Sequence, residues 1–208
     1  MTPTLEGPRL RLEPLTLAHI PALESVAYDA RNWHYMTTWV KSHADLTAWV
    51  ATALANERAG TTQPWIILLK STGKPIGTTR FADLDLHHRT VEIGYTWVAP
   101  AFYGTGLNTE AKLLQLDYAF ETLHVNRVAF KTLHVNRVAF KTHHENLQSQ
   151  AALRKLGATE EGTFRNHFLM PDQTQRHSVW FSIIQQEWPQ VRSRLIHHIE
   201  QRRGSVEL

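Results

Sequence analysis

Three places along this 208-residue chain carry residue types that can do chemistry. The first is Tyr103-Gly104-Thr105-Gly106-Leu107-Asn108, a turn between a strand-like and a helix-like stretch. Two glycines let the backbone approach a ligand closely, and the unpaired N–H groups of a helix's first turn then point at it. Such a turn favours phosphate, though it also reads as a plain tight connection. The second place is Glu92, the sole carboxylate in the stretch Val91–Val98. It can take up a proton, directly or through water, or it can be an exposed strand residue or an ion-pair partner. The third is Ser149, which helical spacing puts on one face with Ala152, Leu153 and Leu156. An inward hydroxyl in an apolar stripe needs a partner, at the simplest a carbonyl one turn back.

These groups need rigid elements to position them. Val91–Val98 is β-branched and aromatic, as a mostly buried strand should be, and Pro100 ends it. Leu113, Leu116, Phe120 and Leu123 follow at helical spacing. Upstream, Arg9–Pro14 alternates as a half-exposed strand, and Thr16 caps a short helix through Leu23. Asp29–Trp39 is irregular and aromatic, suited to core or to the wall of an acceptor pocket. Ser42 with Asp45 opens a helix that stops at Gly60. Trp65–Lys70 and Ile76–Phe81 make a hairpin, and Asp83–Thr90 is a polar loop expected, with Trp33–Trp39, to supply the contacts to the second substrate. Downstream come a strand at Asn136–Lys141 and a helix at Leu147–Leu156, opened by Asn146 and closed by Gly157. Strands at Thr163–Met170 and His177–Ile184 follow, and Pro189 starts a last helix, Val191 to about Gln201.

Composition removes several classes of function. The dinucleotide fingerprint fails for want of its third glycine and acidic residue, and no Gly-Lys-Ser/Thr follows for a P-loop. With no cysteine there is no thiolate nucleophile and no Cys-ligated zinc. Thirteen histidines include the adjacent pairs His87-His88, His143-His144 and His197-His198. Strand neighbours point to opposite faces, so no metal site is expected. A net charge of +3 is too small and dispersed for a nucleic-acid partner, and the basic residues of the last helix read as a solvated face. No long apolar run indicates a signal peptide or membrane segment. A single cytoplasmic domain over residues 1–208 is the expectation.

The order of elements and motifs resembles the GNAT acetyltransferase superfamily, specifically the Rim-type branch that acetylates ribosomal-protein N-termini. The superfamily's pyrophosphate loop reads Gln/Arg-x-x-Gly-x-Gly/Ala; here Tyr103 and Asn108 stand at its first and last places, with Gly106 retained. Asn108-Thr109-Glu110-Ala111, Asn136-Arg137-Val138, Asn146-x-x-Ser149, Leu156-Gly157-Ala158, Pro171-Asp172 and Glu187-Trp188-Pro189 carry the resemblance along the chain. It implies an α/β fold whose mixed, mostly antiparallel sheet splays at a central parallel pair, with helices on both faces.

The resemblance also implies acetyl-CoA as cofactor, held by Tyr103, Gly104, Thr105, Gly106, Leu107 and Asn108. A main-chain N–H at Trp97 or Val98 would meet the thioester carbonyl, and Asn146 the pantetheine amides. Glu92 would be the base, and Ser149 would stabilise the leaving thiolate. The superfamily's tyrosine acid is replaced by Leu153. The implied reaction is N-acetylation of a primary amine, first a protein α-amino group. A small amine as acceptor, or a non-catalytic acyl-CoA-binding module, stays open.

One oddity belongs to no family pattern. Thr122–Lys131 and Thr132–Lys141 are the same ten residues twice in succession. Only one copy can supply the strand after the glycine-loop helix. The second is expected to, from Val135 to Lys141, since the surplus then lies far from Asn146 and Ser149. Leu123 to about His134 would form an extended helix end or a surface loop. The surplus copy's Val125, Val128 and Phe130 could pair with another chain's edge and give a homodimer.

Overall fold

The computed structural model describes residues 2–121 and 135–201. They form one eight-stranded sheet in the order β1-β2-β3-β4-β5-β6-β8-β7. The strands are β1 (Leu5–Glu6), β2 (Leu10–Pro14), β3 (Gln63–Leu69), β4 (Pro75–Asp85), β5 (Thr90–Val98), β6 (Arg137–His143), β7 (Thr159–Leu169) and β8 (Gln175–Ile184). Every neighbouring pair is antiparallel except β5 and β6. Six α-helices, α1 (Ile20–Ala27), α2 (Ala30–Trp33), α3 (His43–Arg58), α4 (Leu107–Phe120), α5 (Leu147–Leu156) and α6 (Trp188–Gln201), and two single 3-10 turns, Leu17–His19 and Pro100–Phe102, complete the described fold.

Strand periodicity explains the two cores. Along β3, Trp65 and Ile67 face one way and pack with Leu107, Ala111 and Leu116 of α4 and with Val191 and Leu195 of α6. Ile66 and Leu68 face the other way, onto Leu23 of α1, Trp33 of α2 and Leu46 and Val50 of α3. The sheet therefore has helices on both faces.

Several expected local signals appear as hydrogen bonds. Ser42 accepts from Asp45 N–H (3.2 Å) at the start of α3. Asn146 accepts from Ser149 N–H (2.9 Å) at the start of α5, and Gly157 ends that helix in the left-handed conformation. Other expectations need correction. β4 continues through Asp85, so the loop at Asp83–Thr90 shrinks to the turn beyond it. The aromatic segment holds a short helix, α2, capped by Asp29. β7 starts at Thr159, earlier than the sequence suggested.

The strand beside β5 belongs to the second of the repeated segments. Val135 N–H bonds to Ala119 O (3.1 Å) and Asn136 N–H to Arg89 O (2.7 Å), and β6 then runs from Arg137. The first copy, and the stretch from Leu123 to His134, lie outside the described residues.

A buried latch ties α4 to the start of the chain. Glu110, 1% exposed, accepts from Arg9 N–H (2.8 Å), Leu10 N–H (3.1 Å) and Arg9 Nε (2.7 Å). Arg9 also donates to Thr105 O (3.3 Å), which braces the glycine turn itself. Gly7 leaves room for this carboxylate, since a Cβ there would come within 2.7 Å of Glu110 Oε1.

Candidate active site

The parallel pair is short. β5 and β6 match at Thr90/Arg137, Val91/Val138 and Glu92/Ala139, and the two strands then run on without pairing to each other. The gap between Ile93–Val98 and Phe140–His143 lines a cleft of about 770 Å³. Glu92 stands at the apex of this fork.

A bulge shapes the cleft's β5 wall. Thr78 pairs with Trp97 but Arg80 with Gly94, so β5 carries one residue more than β4, and Tyr95 takes a positive φ of 51°. Alternation therefore reverses along the strand: Val91 and Ile93 belong to the α4 side before the bulge, Val98 after it. Beyond the bulge, Ala99 N–H donates to Ile76 O (2.7 Å). The N–H of Val98, one residue earlier, must then face away from β4, towards the gap. Trp97 has the opposite sense, and its ring is core, 5.5 Å from that of Trp33.

Glu92 is 3% exposed, so it is no surface strand residue. Its Oε2 pairs with Lys141 Nζ at 2.8 Å. Burial raises the Glu92 pKa, with Lys141 pulling against that shift. Gly94 makes space for the carboxylate, because a Cβ there would stand 2.7 Å from Glu92 Oε1. Arg176, Tyr35, His143 and Phe168 line the same cleft.

The glycine turn closes one end. Gly104 and Gly106 have φ of 77° and 81°, values that L side chains rarely adopt, and Gly106 is the N-cap of α4. Tyr103, Gly104, Gly106 and Asn108 line the cleft. Leu107 sends its side chain into the core, and Thr105 uses its hydroxyl on Phe102 O (2.7 Å). Those two can serve the site through the main chain alone. On α5, Asn146, Ser149 and Ala152 line the cleft while Leu153 and Leu156 are buried. Asn146 has committed its carbonyl to the helix cap, leaving its NH₂ for other partners. The inward face of α5 is narrower than spacing suggested, since Ala152 is exposed.

Residues that sequence reasoning missed are chiefly cations. Lys112 on α4 is buried, and its Nζ donates to Thr96 Oγ1 (2.6 Å), Thr79 Oγ1 (3.2 Å) and Gln115 Oε1 (3.3 Å). Burial pushes its pKa down to about 7. Lys141 and Arg176 face the cleft from β6 and β8. A Lys at an even step of an apolar strand was the available signal for Lys141; nothing local marked the other two. Conversely, no residue of Asp83–Thr90 lines the cleft, and Asp83 approaches it through Lys141 (3.5 Å). Tyr35, Met36 and Thr37 do line it, so the aromatic segment serves both as core and as wall.

The adjacent histidines also behave differently from expectation. His144 lies past the end of β6, and the His143 and His144 rings stack at 4.5 Å. With Glu145 they bring possible metal-ligand atoms within 4.8 Å of one another, but His143 Nδ1 already accepts from Glu145 N–H (3.1 Å).

Similarity to known proteins agrees with this geometry. The profile described as an acetyltransferase (GNAT) domain matches residues 9–159. YdaF of Bacillus subtilis (strain 168), provisionally named a ribosomal N-acetyltransferase, is 33% identical over 116 residues. That match spans 56% of this chain and 57% of YdaF. A crystal structure of a provisionally named acetyltransferase from T. thermophilus superposes with a TM-score of 0.82 at 32% identity, covering 95% of this chain and 97% of that one. RimJ of Mycobacterium smegmatis, solved with CoA-disulfide, shares the fold with a TM-score of 0.74 at 22% identity, over 94% of this chain and 93% of that one. A sheet forked at its one parallel pair, a glycine turn at the head of α4 and a family match across most of the length lead to one assignment: the chain belongs to the GNAT acetyltransferase family.

Proposed function

We propose that this protein transfers the acetyl group of acetyl-CoA directly to a primary amine, first of all the α-amino group of a protein N-terminus. The observation that carries the reading is the buried carboxylate of Glu92 at the apex of the β5–β6 fork. The residues present suit the cofactor. The head of a fourteen-residue helix, capped by the left-handed Gly106, offers N–H groups and positive dipole to a pyrophosphate. Lys155 and Arg194 add positive charge to the same cleft. The unpaired edges of β5 and β6 past Glu92 need hydrogen-bond partners, which an extended amide-bearing arm supplies. Bound there, acetyl-CoA supplies the activated acyl group.

Each protein group then has a task. The Val98 N–H is the donor we assign to the thioester carbonyl, where negative charge grows as the amine attacks. Glu92 accepts the amine's proton; burial makes it a stronger base than a solvated carboxylate, while Lys141 keeps it ionised. Ser149 donates to the departing thiolate. Among the described residues no hydrogen bond occupies its hydroxyl, which argues against a purely structural role.

The choice of an α-amine rests on energy. With a pKa near 8, it costs only about 1 kcal/mol to deprotonate at pH 7, whereas a lysine costs about 4–5 kcal/mol. One carboxylate, already shared with Lys141, matches the smaller demand. The provisional name of the Bacillus relative, a ribosomal N-acetyltransferase, suits an acceptor amine carried by a protein.

The deciding experiment measures thiol release from acetyl-CoA against N-terminal peptides, polyamines and free amino acids. Release with peptides supports the reading, and release with small amines alone replaces the acceptor. Tight cofactor binding without release from any acceptor would refute catalysis and leave a binding module.

A further inference from the structure

The acceptor side of the cleft holds a cation that the transfer chemistry does not use. Arg176 lies near the start of β8, opposite Phe168 on β7 and beyond the end of β6. It is only 7% exposed, yet among the described residues its side chain makes one hydrogen bond, from Nη1 to Tyr35 O (3.2 Å). Its Nε is buried without a partner. The guanidinium lies 5.6 Å from the centre of the Phe168 ring. No carboxylate among the described residues forms an ion pair with it. Glu92 acts on it only at longer range, being bonded to Lys141.

An arginine keeps its proton in proteins, so this is a charge taken out of water with little in return. Such a group is costly unless an anion meets it. The lining is also one-sided: Arg176, Lys141 and His143 face this part of the cleft, and among the described residues that line it Glu92 is the one acid, Asp83 meeting Lys141 from outside the lining. A planar guanidinium can grip a carboxylate with two parallel bonds.

We infer that Arg176 forms an anion subsite, so that the preferred acceptor is an amine that also bears a carboxylate, the amine meeting Glu92 and the carboxylate meeting Arg176. The inference rests on the reading of this cleft as an acetyl-acceptor site. The carboxylate has two sources with the same chemistry: an acidic side chain next to a peptide's N-terminus, or the carboxyl group of a free amino acid. If Arg176 merely anchored Tyr35, its loss would weaken all acceptors alike; a subsite makes the loss selective.

The test uses matched pairs that differ by one charge. Peptides with Asp or Asn at the first or second position form one arm, and free amino acids against their amides form the other. The parent protein is expected to favour the carboxylate member of at least one arm by about tenfold or more in kcat/KM, and the arm that responds identifies the source. Arg176→Gln should bring that ratio close to one, Arg176→Lys should retain part of it, and both should keep the rise in Tm with acetyl-CoA as evidence of folding. A parent ratio near one in both arms would overturn the subsite, as would a ratio that survives in a folded Arg176→Gln protein. If Arg176→Gln fails to fold, the parent ratio and the Arg176→Lys protein still decide. Calorimetric affinities for the same pairs separate this inference from acetyl transfer. A tenfold affinity difference without turnover would refute the reaction and keep the subsite, whereas turnover without selectivity would do the reverse.

Discussion

Lys112 makes a sharp prediction about stability and pH. It is buried on α4 against the β5 bulge, with three neutral oxygens around its ammonium and no carboxylate paired to it among the described residues. Its pKa falls from 10.5 to about 7 in the folded protein. Between those values the unfolded chain holds more protons than the folded one, so stability rises with pH. A Lys lowered on folding is thus a liability below the folded pKa and ceases to be one as pH passes the unfolded value. From pH 7 to pH 9, roughly 1.7 pKa units of this linkage are released, or about 2 kcal/mol at 1.36 kcal/mol per unit. For a chain of this size that is a rise of about 5–8 °C in Tm. The assay is urea denaturation at stepped pH for the parent and for Lys112→Met, which keeps the length of the side chain and removes the charge. Subtracting one profile from the other cancels His143 and other shared titrations. The difference should slope upward from pH 7 to 9. Parallel profiles would show that Lys112 stays charged in the folded state, and would refute the claim that burial outweighs its three hydrogen bonds.

Four further outcomes are expected. Acetyl-CoA should raise Tm, and Gly106→Val should abolish most of that rise, since a β-branched residue resists the 81° φ and blocks the helix head. An undiminished rise would place the cofactor elsewhere. Ser149→Ala should lower kcat by roughly tenfold with little change in acetyl-CoA affinity if the hydroxyl has the proposed task of meeting charge that appears in the transition state; equal turnover would make it structural. Glu92→Gln should show a deficit that shrinks as pH rises and the amine deprotonates unaided, so a deficit constant with pH would indicate positioning. Deleting Thr122–Lys131 should preserve acetyl-CoA binding and turnover and raise stability by about 1 kcal/mol in urea melts, the loop-closure entropy of the surplus. Loss of binding in that protein would mean the first copy contributes to the site.

What the sequence made legible was local. The glycine turn, the Asn146 cap and the Gly157 stop depend on residues a few positions apart, and each appears in the structure where spacing put it. Glu92 stood out because a lone acid in an apolar strand is rare, yet its bond to Lys141 crosses from one strand to the next. Arg176 and Lys112 were illegible because their meaning comes from burial against distant elements. The bulge at Tyr95 was equally hidden, since a tyrosine carries no sign that its φ will be positive. The Asp83–Thr90 stretch misled for the opposite reason: polar composition implied a loop, but the β4–β5 ladder extends through Asp85.

The Glu110 latch sets an order of assembly. Arg9 and Leu10 leave the ribosome about a hundred residues before the carboxylate that satisfies them. Closing a span of that length costs about 4 kcal/mol in chain entropy, which few contacts repay until β2, β3 and β4 have paired. Until then the N–H groups of the first hairpin stay open to water or to a chaperone, and the head of α4 has nothing to seat against. The turn that would receive the cofactor is therefore expected to mature late on the folding pathway, and amide exchange at Arg9 and Leu10 should report when it does.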